Sequence, residues 1–393
     1  MLRISKPFWN PNLDVGDRMP VTGYTDALHD ALERLDGLGF ERGADADLAN
    51  HGPMGAEALA ALGHTDQVAA WVEGYRTAMP HNPVPAPRFA LDAGDASSWR
   101  PALGDFSRVG DWEELFRREL AEAPWAEVLT RWWPRLLPGM LAGLTHGTIR
   151  TAHAVRSLAT TPAPTPAQLT ELAGGLAYWA ARFAHLPGQV RMSGTHDLAA
   201  AVAALPRTPH TGERRGRAAA AHRLVHPDEL TGYTEALGAL APVPADRTQE
   251  MLSDLTAEFA GVYTGHPEVF AVPLIHGVTA PAAVRLVLPH LPQELHEPSL
   301  AALWHVGTTL LVAFTEHRSG EADAAREAAE AAAELPSFDE LAARAAEHGD
   351  EHVIKFTEAC RREHALRPDH RYPAAVLTAQ QRITPRRPRA SRR

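Results

Sequence analysis

Apolar residues recur every three or four positions along almost the whole chain, which is the spacing of one face of an α-helix. The stretch 24–38 shows this pattern, and so do 67–79, 169–183 and 298–316. Runs in which apolar and polar residues alternate, as they do in a half-buried strand, are missing from the sequence. We therefore predict an all-α protein built as a multi-helix bundle.

Composition divides the chain into three parts. Residues 1–23 precede the first helical pattern and are expected to be an extended segment, whereas 24–365 are expected to form a single all-α domain. Residues 366–393 end in ITPRRPRASRR, a basic stretch broken by prolines, and we expect them to be a disordered tail. The polar and basic stretch 206–226 is expected to be a mobile loop or lid.

Charge and cysteine content exclude several classes of protein. The formal net charge of −10 argues against a nucleic-acid partner or an anionic membrane surface. Cys360 is the only cysteine, which rules out an intrachain disulfide and a cysteine-based zinc finger or iron–sulfur cluster within one chain. The N-terminal residues lack the apolar core of a signal peptide, and no apolar run approaches the ~20 residues of a membrane span. We therefore expect a soluble, cytoplasmic protein with no membrane partner, and the sequence leaves its oligomeric state open.

Lysine is almost absent from the sequence. Of the 38 basic residues only Lys6 and Lys355 are lysines, and the other 36 are arginines. The simplest cause is a coding bias that replaces interchangeable lysines by arginine. Lys355 lies well inside the chain, and an amine can lose its proton whereas a guanidinium cannot. We therefore expect Lys355 to have a role that arginine could not fill.

Three histidines share a local context. His51, His146 and His276 are each followed by glycine and then by small residues that open a helical pattern. The glycine lets the backbone pass close to a neighbour, and the small residues let helices pack tightly. The repetition indicates a recurring structural unit that places an imidazole near each helix start.

Two further histidines lie in apolar helical patterns. His305 lies within ALWHVGTTLL, and His352 precedes Lys355 by three residues, which puts the latter two on one helical face. Neutral imidazoles from several helices can bind a metal ion in a central cavity of a bundle, and the lack of thiolates favours iron, manganese or zinc over Cu(I). The alternative is that these histidines pack and satisfy hydrogen bonds in an ordinary core.

Lys355 fits a metal site in one specific way. A neutral amine can add carbon dioxide and become a carbamate, which is a carboxylate on a long stem that can bind a metal ion. The alternatives are a salt bridge to Glu358, chance survival of the lysine, and a buried catalytic amine with a lowered pKa.

The motifs in question are NHGPM at 50–54, LTHG at 144–147, LIHG at 274–277, LWH at 303–305 and HVIK at 352–355. In this order they make roughly residues 24–365 similar to the questin oxidase-like family. The resemblance implies an oxidative enzyme of aromatic polyketide tailoring that opens quinone or anthraquinone rings. It implies either iron-dependent dioxygenation or NADPH-dependent oxygen insertion of the Baeyer–Villiger type.

The resemblance also implies a mononuclear non-haem Fe(II) centre held by histidines and a carboxylated lysine. His305 is carried over as a catalytic group or as a replacement for one ligand. The metal ligands carried over in this way are His51, His146, His276, His352 and Lys355.

The substrate would be a small aromatic molecule that reacts with O2. No G-x-G-x-x-G follows a strand pattern, so neither an NADPH nor a flavin site is visible, and direct use of O2 by iron fits the residues better. His153 and His196 are possible proton relays, although a packing or surface role is the simpler reading. Competing functions are a metal-dependent hydrolase and a helical binding or scaffold protein. The walls of the substrate cavity could include Trp132, Trp133, Trp179, Trp304 or Phe356, although an ordinary core role is the preferred interpretation for most of them.

Overall fold

The computed structural model describes residues 21–43, 48–209, 217–316 and 321–386. Within these ranges the regular secondary structure is helical apart from one small antiparallel sheet, and the predicted all-α class is confirmed. The strands are β1 (Glu41–Arg42) and β2 (Leu48–Ala49). The α-helices of the described residues are α1 (Val21–Leu35), α2 (Gly52–Ala61), α3 (Val68–Ala78), α4 (Ala96–Trp99), α5 (Val109–Glu122), α6 (Trp125–Leu136), α7 (His146–Ala159), α8 (Pro166–Ala181), α9 (Leu198–Ala204), α10 (Arg217–Val225), α11 (Tyr233–Leu237), α12 (Thr248–Gly265), α13 (His276–Val287), α14 (His296–Phe314), α15 (Glu321–Glu330), α16 (Phe338–His348), α17 (Glu351–Leu366) and α18 (Arg371–Arg382).

Four helices from distant parts of the chain form a closed ring of contacts. Helix α2 contacts α7, α7 contacts α13, α13 contacts α17, and α17 contacts α2. Three of these helices start at or immediately after a histidine of the repeated motif, and α17 carries His352 and Lys355 in its first two turns. The ring therefore brings together the parts of the sequence in which the candidate ligands lie.

The glycine of the repeated motif permits close helix contact, as the sequence predicts. A Cβ at Gly147 would lie 2.6 Å from the Cα of Trp179 on α8, and one at Gly277 would lie 2.2 Å from a ring carbon of Phe259 on α12. Neither distance is compatible with a side chain larger than hydrogen. The two glycines thus allow α7 and α13 to pack directly against their neighbours just after the histidines.

The start of α17 is set by its capping residue. Asp350 adopts an extended backbone and its carboxylate accepts hydrogen bonds from the backbone N–H groups of His352, at 2.9 Å, and Val353, at 3.3 Å. Such a cap satisfies N–H groups that have no partner within the helix and is worth about 1 kcal/mol. It holds the first turn, and therefore His352, in place.

The C-terminal boundary predicted from the sequence is wrong. Helix α17 ends at Leu366 and is followed by α18, whose side chains Tyr372, Val376 and Ala379 are buried against the bundle. The basic residues of this region masked an apolar stripe with helical spacing, because that stripe is only three turns long. Residues 387–393 of the predicted tail and 1–20 of the predicted extended segment lie outside the described residues.

The stretch predicted to be a loop at 206–226 is also helical in part. Residues 217–225 form α10, which packs on α14. Four consecutive alanines favour a helix here, and this local propensity outweighs the polar and basic composition that suggested a loop. None of the described helices combines the length and the apolar character needed to cross a membrane.

Candidate metal centre

Four imidazoles lie in a row where the helices of the ring meet. The ring centroids of His51 and His146 are 4.4 Å apart, those of His51 and His352 are 4.6 Å apart, and those of His146 and His276 are 4.6 Å apart. His51, His146 and His352 can each offer one ring nitrogen such that the three atoms lie within 4.8 Å of one another. His276 contacts the ring of His146 but is not part of this closest set.

Hydrogen bonds at Nδ1 of His146 and of His276 leave the Nε2 atom of each of these two rings available. Nδ1–H of His146 donates to the carbonyl oxygen of Gly143, and Nδ1 of His276 lies 3.0 Å from Oγ1 of Thr145. The Nε2 atoms of both rings are buried and have no hydrogen-bond partner among the described residues. Imidazoles that bind metals almost always donate their second N–H to a carbonyl, a carboxylate or a water molecule. The free Nε2 atoms and the absence of protein partners for them therefore fit a metal ligand set.

Carboxylates lie near the Nδ1 atoms of His352 and His51. Nδ1 of His352 lies 3.3 Å from Oδ1 of Asp350, the residue that caps α17. This contact uses Nδ1 and leaves Nε2 of His352 available. Nδ1 of His51 has no hydrogen-bond partner among the described residues, and its nearest carboxylate oxygen, on Glu351, is 3.8 Å away. A carboxylate neighbour fixes the orientation of an imidazole and makes its free nitrogen more basic.

The backbone before His146 adopts a costly conformation. Leu144 and Thr145 have φ angles of +56° and +65°, and they are the only non-glycine residues with positive φ in the described part of the chain. A β-branched residue at positive φ is a true outlier that costs on the order of 1–2 kcal/mol. Strain of this kind persists where surrounding contacts impose it, often at functional sites. Here the turn aims Oγ1 of Thr145 at His276 and starts α7 at His146.

Lys355 lies one helical turn after His352 and is almost fully buried. Burial lowers the pKa of its amine to about 8, although the nearby carboxylates of Glu351 and Asp350 raise it. No hydrogen bond or salt bridge joins the amine to another residue in the described ranges. A measurable fraction of Lys355 is therefore the neutral amine near pH 8.

Three of the four imidazoles in the row are neutral at ordinary pH because their surroundings lower their pKa values. Burial first, and then the charge of Lys355, lowers the pKa of His51 and of His146 well below its usual value. Burial and the neighbouring His146 ring do the same for His276. The N-terminal ends of α2 and α7 add to this effect because the helix dipole disfavours positive charge there. Neutral imidazoles are the form that binds metal ions.

Glu351 separates the imidazoles from two arginines. Its carboxylate accepts hydrogen bonds from the guanidinium groups of Arg42 and Arg386, and the Arg42 guanidinium also lies 4.0 Å from the ring centroid of Tyr75. Tyr75 in turn accepts a hydrogen bond of 2.6 Å from the backbone N–H of His51. Although Asp350, Glu351 and His352 also form a geometrically possible ligand group, the carboxylates of the first two already serve the helix cap and the arginines.

A cavity of about 720 Å³ opens directly beside the imidazoles. His51, His146 and His352 form part of its wall, and most of the remaining wall is apolar. This volume lies within the roughly 300–1,000 Å³ typical of pockets for small organic ligands. Buried imidazoles with free nitrogens at the side of an apolar cavity can hold a metal ion next to an organic substrate.

A family model described as Questin oxidase-like matches residues 48–360, which is most of the chain. The chain belongs to the Questin oxidase-like family. Membership implies an oxidative enzyme that acts on aromatic polyketides. Among curated proteins, none matches this chain.

The structure separates the six site residues that similarity to the Questin oxidase-like family suggested. His51, His146, His276 and His352 lie together, with Lys355 as an electrostatic neighbour of three of them. His305 does not join them. Its Nε2–H donates to the carbonyl oxygen of Pro187 at 2.9 Å, and its ring lines a second cavity of about 490 Å³. The alternative in which His305 replaces His352 as a ligand therefore has no support from the geometry.

The five aromatic residues that the sequence offered as cavity walls have instead the core role that was preferred for most of them. The five aromatic residues suggested by the sequence are fully buried in the hydrophobic core, and none of them lines the cavity. The aromatic rings that do line it belong to Tyr178 and Phe270. Sequence reasoning missed them because large aromatic residues signal burial but not the cavity they face. These five core residues are Trp132, Trp133, Trp179, Trp304 and Phe356.

A buried ionic network lies deeper between three helices of the ring. The Glu57 carboxylate on α2 accepts hydrogen bonds from Tyr24, His153 and Arg156, and Arg156 on α7 also donates to Glu358 on α17. Burial raises the pKa of Glu57, but Arg156 and His153 outweigh this effect and lower the pKa to about 2. His153, considered as a proton relay, is thus a member of this network, while His196 is exposed on the surface.

Proposed function

We propose that this chain is a mononuclear non-haem iron oxygenase that uses O2 to cleave a carbon–carbon bond in the ring of a quinone- or anthraquinone-like polyketide. The observation that carries the proposal is the set of three histidine nitrogens within 4.8 Å of one another beside an apolar cavity of about 720 Å³. Family membership supports the oxidative chemistry and the aromatic polyketide substrate.

The chain's own residues would hold the ion as follows. His51, His146 and His352 are the nearest ligand set, and His276 and a carboxylated Lys355 would complete it. When bound, Fe(II) would supply the redox chemistry that lets triplet O2 react with an electron-rich aromatic ring; manganese and zinc accept similar ligands. Gly143 and Asp350 would keep the His146 and His352 rings in the orientation and tautomer that leave Nε2 available.

Lys355 would contribute as a carbamate. The neutral amine attacks carbon dioxide, a C–N bond forms, and one proton leaves, so that –NH2 and CO2 become –NH–COO⁻ and H⁺. The pKa of about 8 makes the neutral amine accessible. The first turn of α17 and the nearby N-terminal ends of α2 and α7 disfavour an ammonium and favour a carboxylate.

The cavity would position the substrate and exclude water. Its apolar wall favours a flat aromatic body, and the phenol of Tyr178, which donates to Glu41 at 3.1 Å, lies in the same wall. Exclusion of water protects reactive species and strengthens every polar contact in the site. We see no dinucleotide-binding motif in the sequence, so NADPH-dependent oxygen insertion is the second candidate rather than the first.

Metal content and oxygen use test the proposal. Protein purified without a polyhistidine tag should contain about one iron per chain by elemental analysis, as expected for one mononuclear site. Turnover of a hydroxyanthraquinone should consume O2 and stop under argon. A metal-dependent hydrolase would work without O2, and a scaffold protein would contain no stoichiometric metal.

The two lysines offer a matched comparison. Lys355→Arg should lose the metal and the activity but keep the helical circular dichroism, because arginine forms no carbamate. Lys6→Arg is the control and should behave like the wild type. A carbamate carbon should appear in the ¹³C NMR spectrum of wild-type protein incubated with ¹³C-bicarbonate, and full activity of Lys355→Arg would remove the carbamate from the mechanism.

A further inference from the structure

Exposed large apolar side chains are concentrated at one place on this protein. Leu48 is 54% exposed, Val225 is 53% exposed and Phe270 is 63% exposed, and all three line the cavity that contains the histidines. They come from β2, from the last residue of α10 and from the segment between α12 and α13. Only three other large apolar side chains of the described residues are comparably exposed, and none of them lines this cavity: Met79, Phe89 and Leu366.

An apolar path joins these three residues to the imidazoles. Leu224 continues the cavity wall along α10, and Leu141 and Leu144 continue it up to the turn before His146. Exposed apolar side chains that rim a pocket are a mark of ligand binding.

The charged side chains of the cavity wall are neutralised by one another. Arg42 is paired with Glu351, and Arg182 makes two hydrogen bonds to the carboxylate of Glu41. The wall therefore offers no excess charge to attract an ionic group at the outer end of a ligand. Affinity at this end of the cavity would come from the apolar surface that the ligand and the wall bury together.

We propose that Leu48, Val225 and Phe270 form an outer subsite that binds a ring or alkyl substituent of the substrate remote from the ring that reacts. The subsite distinguishes substrates by the length of their apolar body, so a three-ring skeleton binds better than a two-ring skeleton. Phe270 contributes most of the contact because it is the largest and most exposed of the three. This inference rests on the proposed function, since it takes the imidazoles as the inner end of the substrate site.

Binding of two probes tests the subsite without turnover. The dissociation constants of 1,8-dihydroxyanthraquinone and of 2-hydroxy-1,4-naphthoquinone are measured by titration of the full chain under argon. In Phe270→Ala, binding of the three-ring probe should weaken about fivefold to tenfold, as expected when a ligand loses part of an aromatic contact. Binding of the two-ring probe should stay within about twofold of the wild type. Phe270→Leu should restore most of the affinity for the three-ring probe.

Phe89 provides the matched control. It is 61% exposed, close to the 63% of Phe270, but it does not line the cavity, so Phe89→Ala should change neither dissociation constant. Equal weakening of both probes by Phe270→Ala, or no weakening of either, would overturn the subsite. So would a change of oligomeric state in Phe270→Ala with unchanged probe binding, because the rim would then be a contact between chains. Failure of the wild type to bind either probe would instead refute the aromatic substrate of the proposed function, and the subsite with it.

Discussion

Replacing Lys355 by methionine should stabilise the metal-free protein while removing a group the site requires. Burial lowers the pKa of this amine from 10.5 to about 8, so the folded protein binds its proton less tightly than the unfolded chain does. The charged lysine therefore destabilises the fold at neutral pH. Methionine has a similar length and carries no charge to bury.

The size of the effect follows from the two pKa values. A difference of 10.5 minus about 8 costs about 3 kcal/mol at pH 7, where lysine is protonated in both states. Between pH 8 and 10.5 the unfolded state holds more protons than the folded state, so the stability of the wild type rises with pH. The advantage of Lys355→Met should accordingly shrink to about 1 kcal/mol at pH 10.

Thermal unfolding of metal-free, CO2-depleted protein measures this difference. For 393 residues, an unfolding entropy of about 2.1 cal/mol/K per residue converts these values to a Tm increase of about 4 °C at pH 7 and about 1 °C at pH 10. Lys6→Met is the control and should show no such dependence on pH. A variant that is less stable than the wild type at pH 7, or whose advantage is the same at both pH values, would refute the reasoning.

Three further predictions concern the histidines and the buried network. His51→Ala should lose most of the bound metal in elemental analysis while its far-UV circular dichroism stays unchanged; retention of stoichiometric metal would exclude His51 as a ligand. The pKa values of His51, His146 and His276 are lowered in the folded state, so the unfolded chain binds more protons below pH 6.5 and the Tm of metal-free protein should fall as the pH drops from 6.5 to 5; a flat profile would contradict this assignment. Glu358→Gln removes one of the two carboxylates bound to Arg156 and should cost about 3 kcal/mol in a denaturant titration, and a loss below about 1 kcal/mol would mean that the network stabilises little.

Local context in the sequence was enough to find most of the histidine cluster. The pattern of histidine, glycine and small residues picked out His51, His146 and His276, because the same physical demand, a close helix contact beside an imidazole, recurs three times. The scarcity of lysine drew attention to Lys355. Both signals are local and can be read without knowing the fold.

Contacts between distant residues could not be inferred in this way. Arg42 and Glu351 are 309 positions apart, and nothing near either residue indicates the other. His305 lies in as apolar a helix as any ligand would, and only the packing of α14 shows that it faces Pro187. The tail was misjudged for a related reason, since the arginines that follow α18 dominate the composition of the tail, whereas buried residues such as Tyr372 determine the structure of α18.

The left-handed turn at Thr145 limits how this protein can be made more heat-resistant. Glycine at this position would remove the unfavourable backbone energy and is the kind of exchange a protein engineer would try first. It would also delete the hydroxyl that lies 3.0 Å from Nδ1 of His276, and it would make the backbone turn before His146 more flexible. Any thermal gain at this residue would therefore make the positions of the imidazoles less precise, and heat-tolerant variants are better sought on helices such as α15, which packs mainly on α12 and α18.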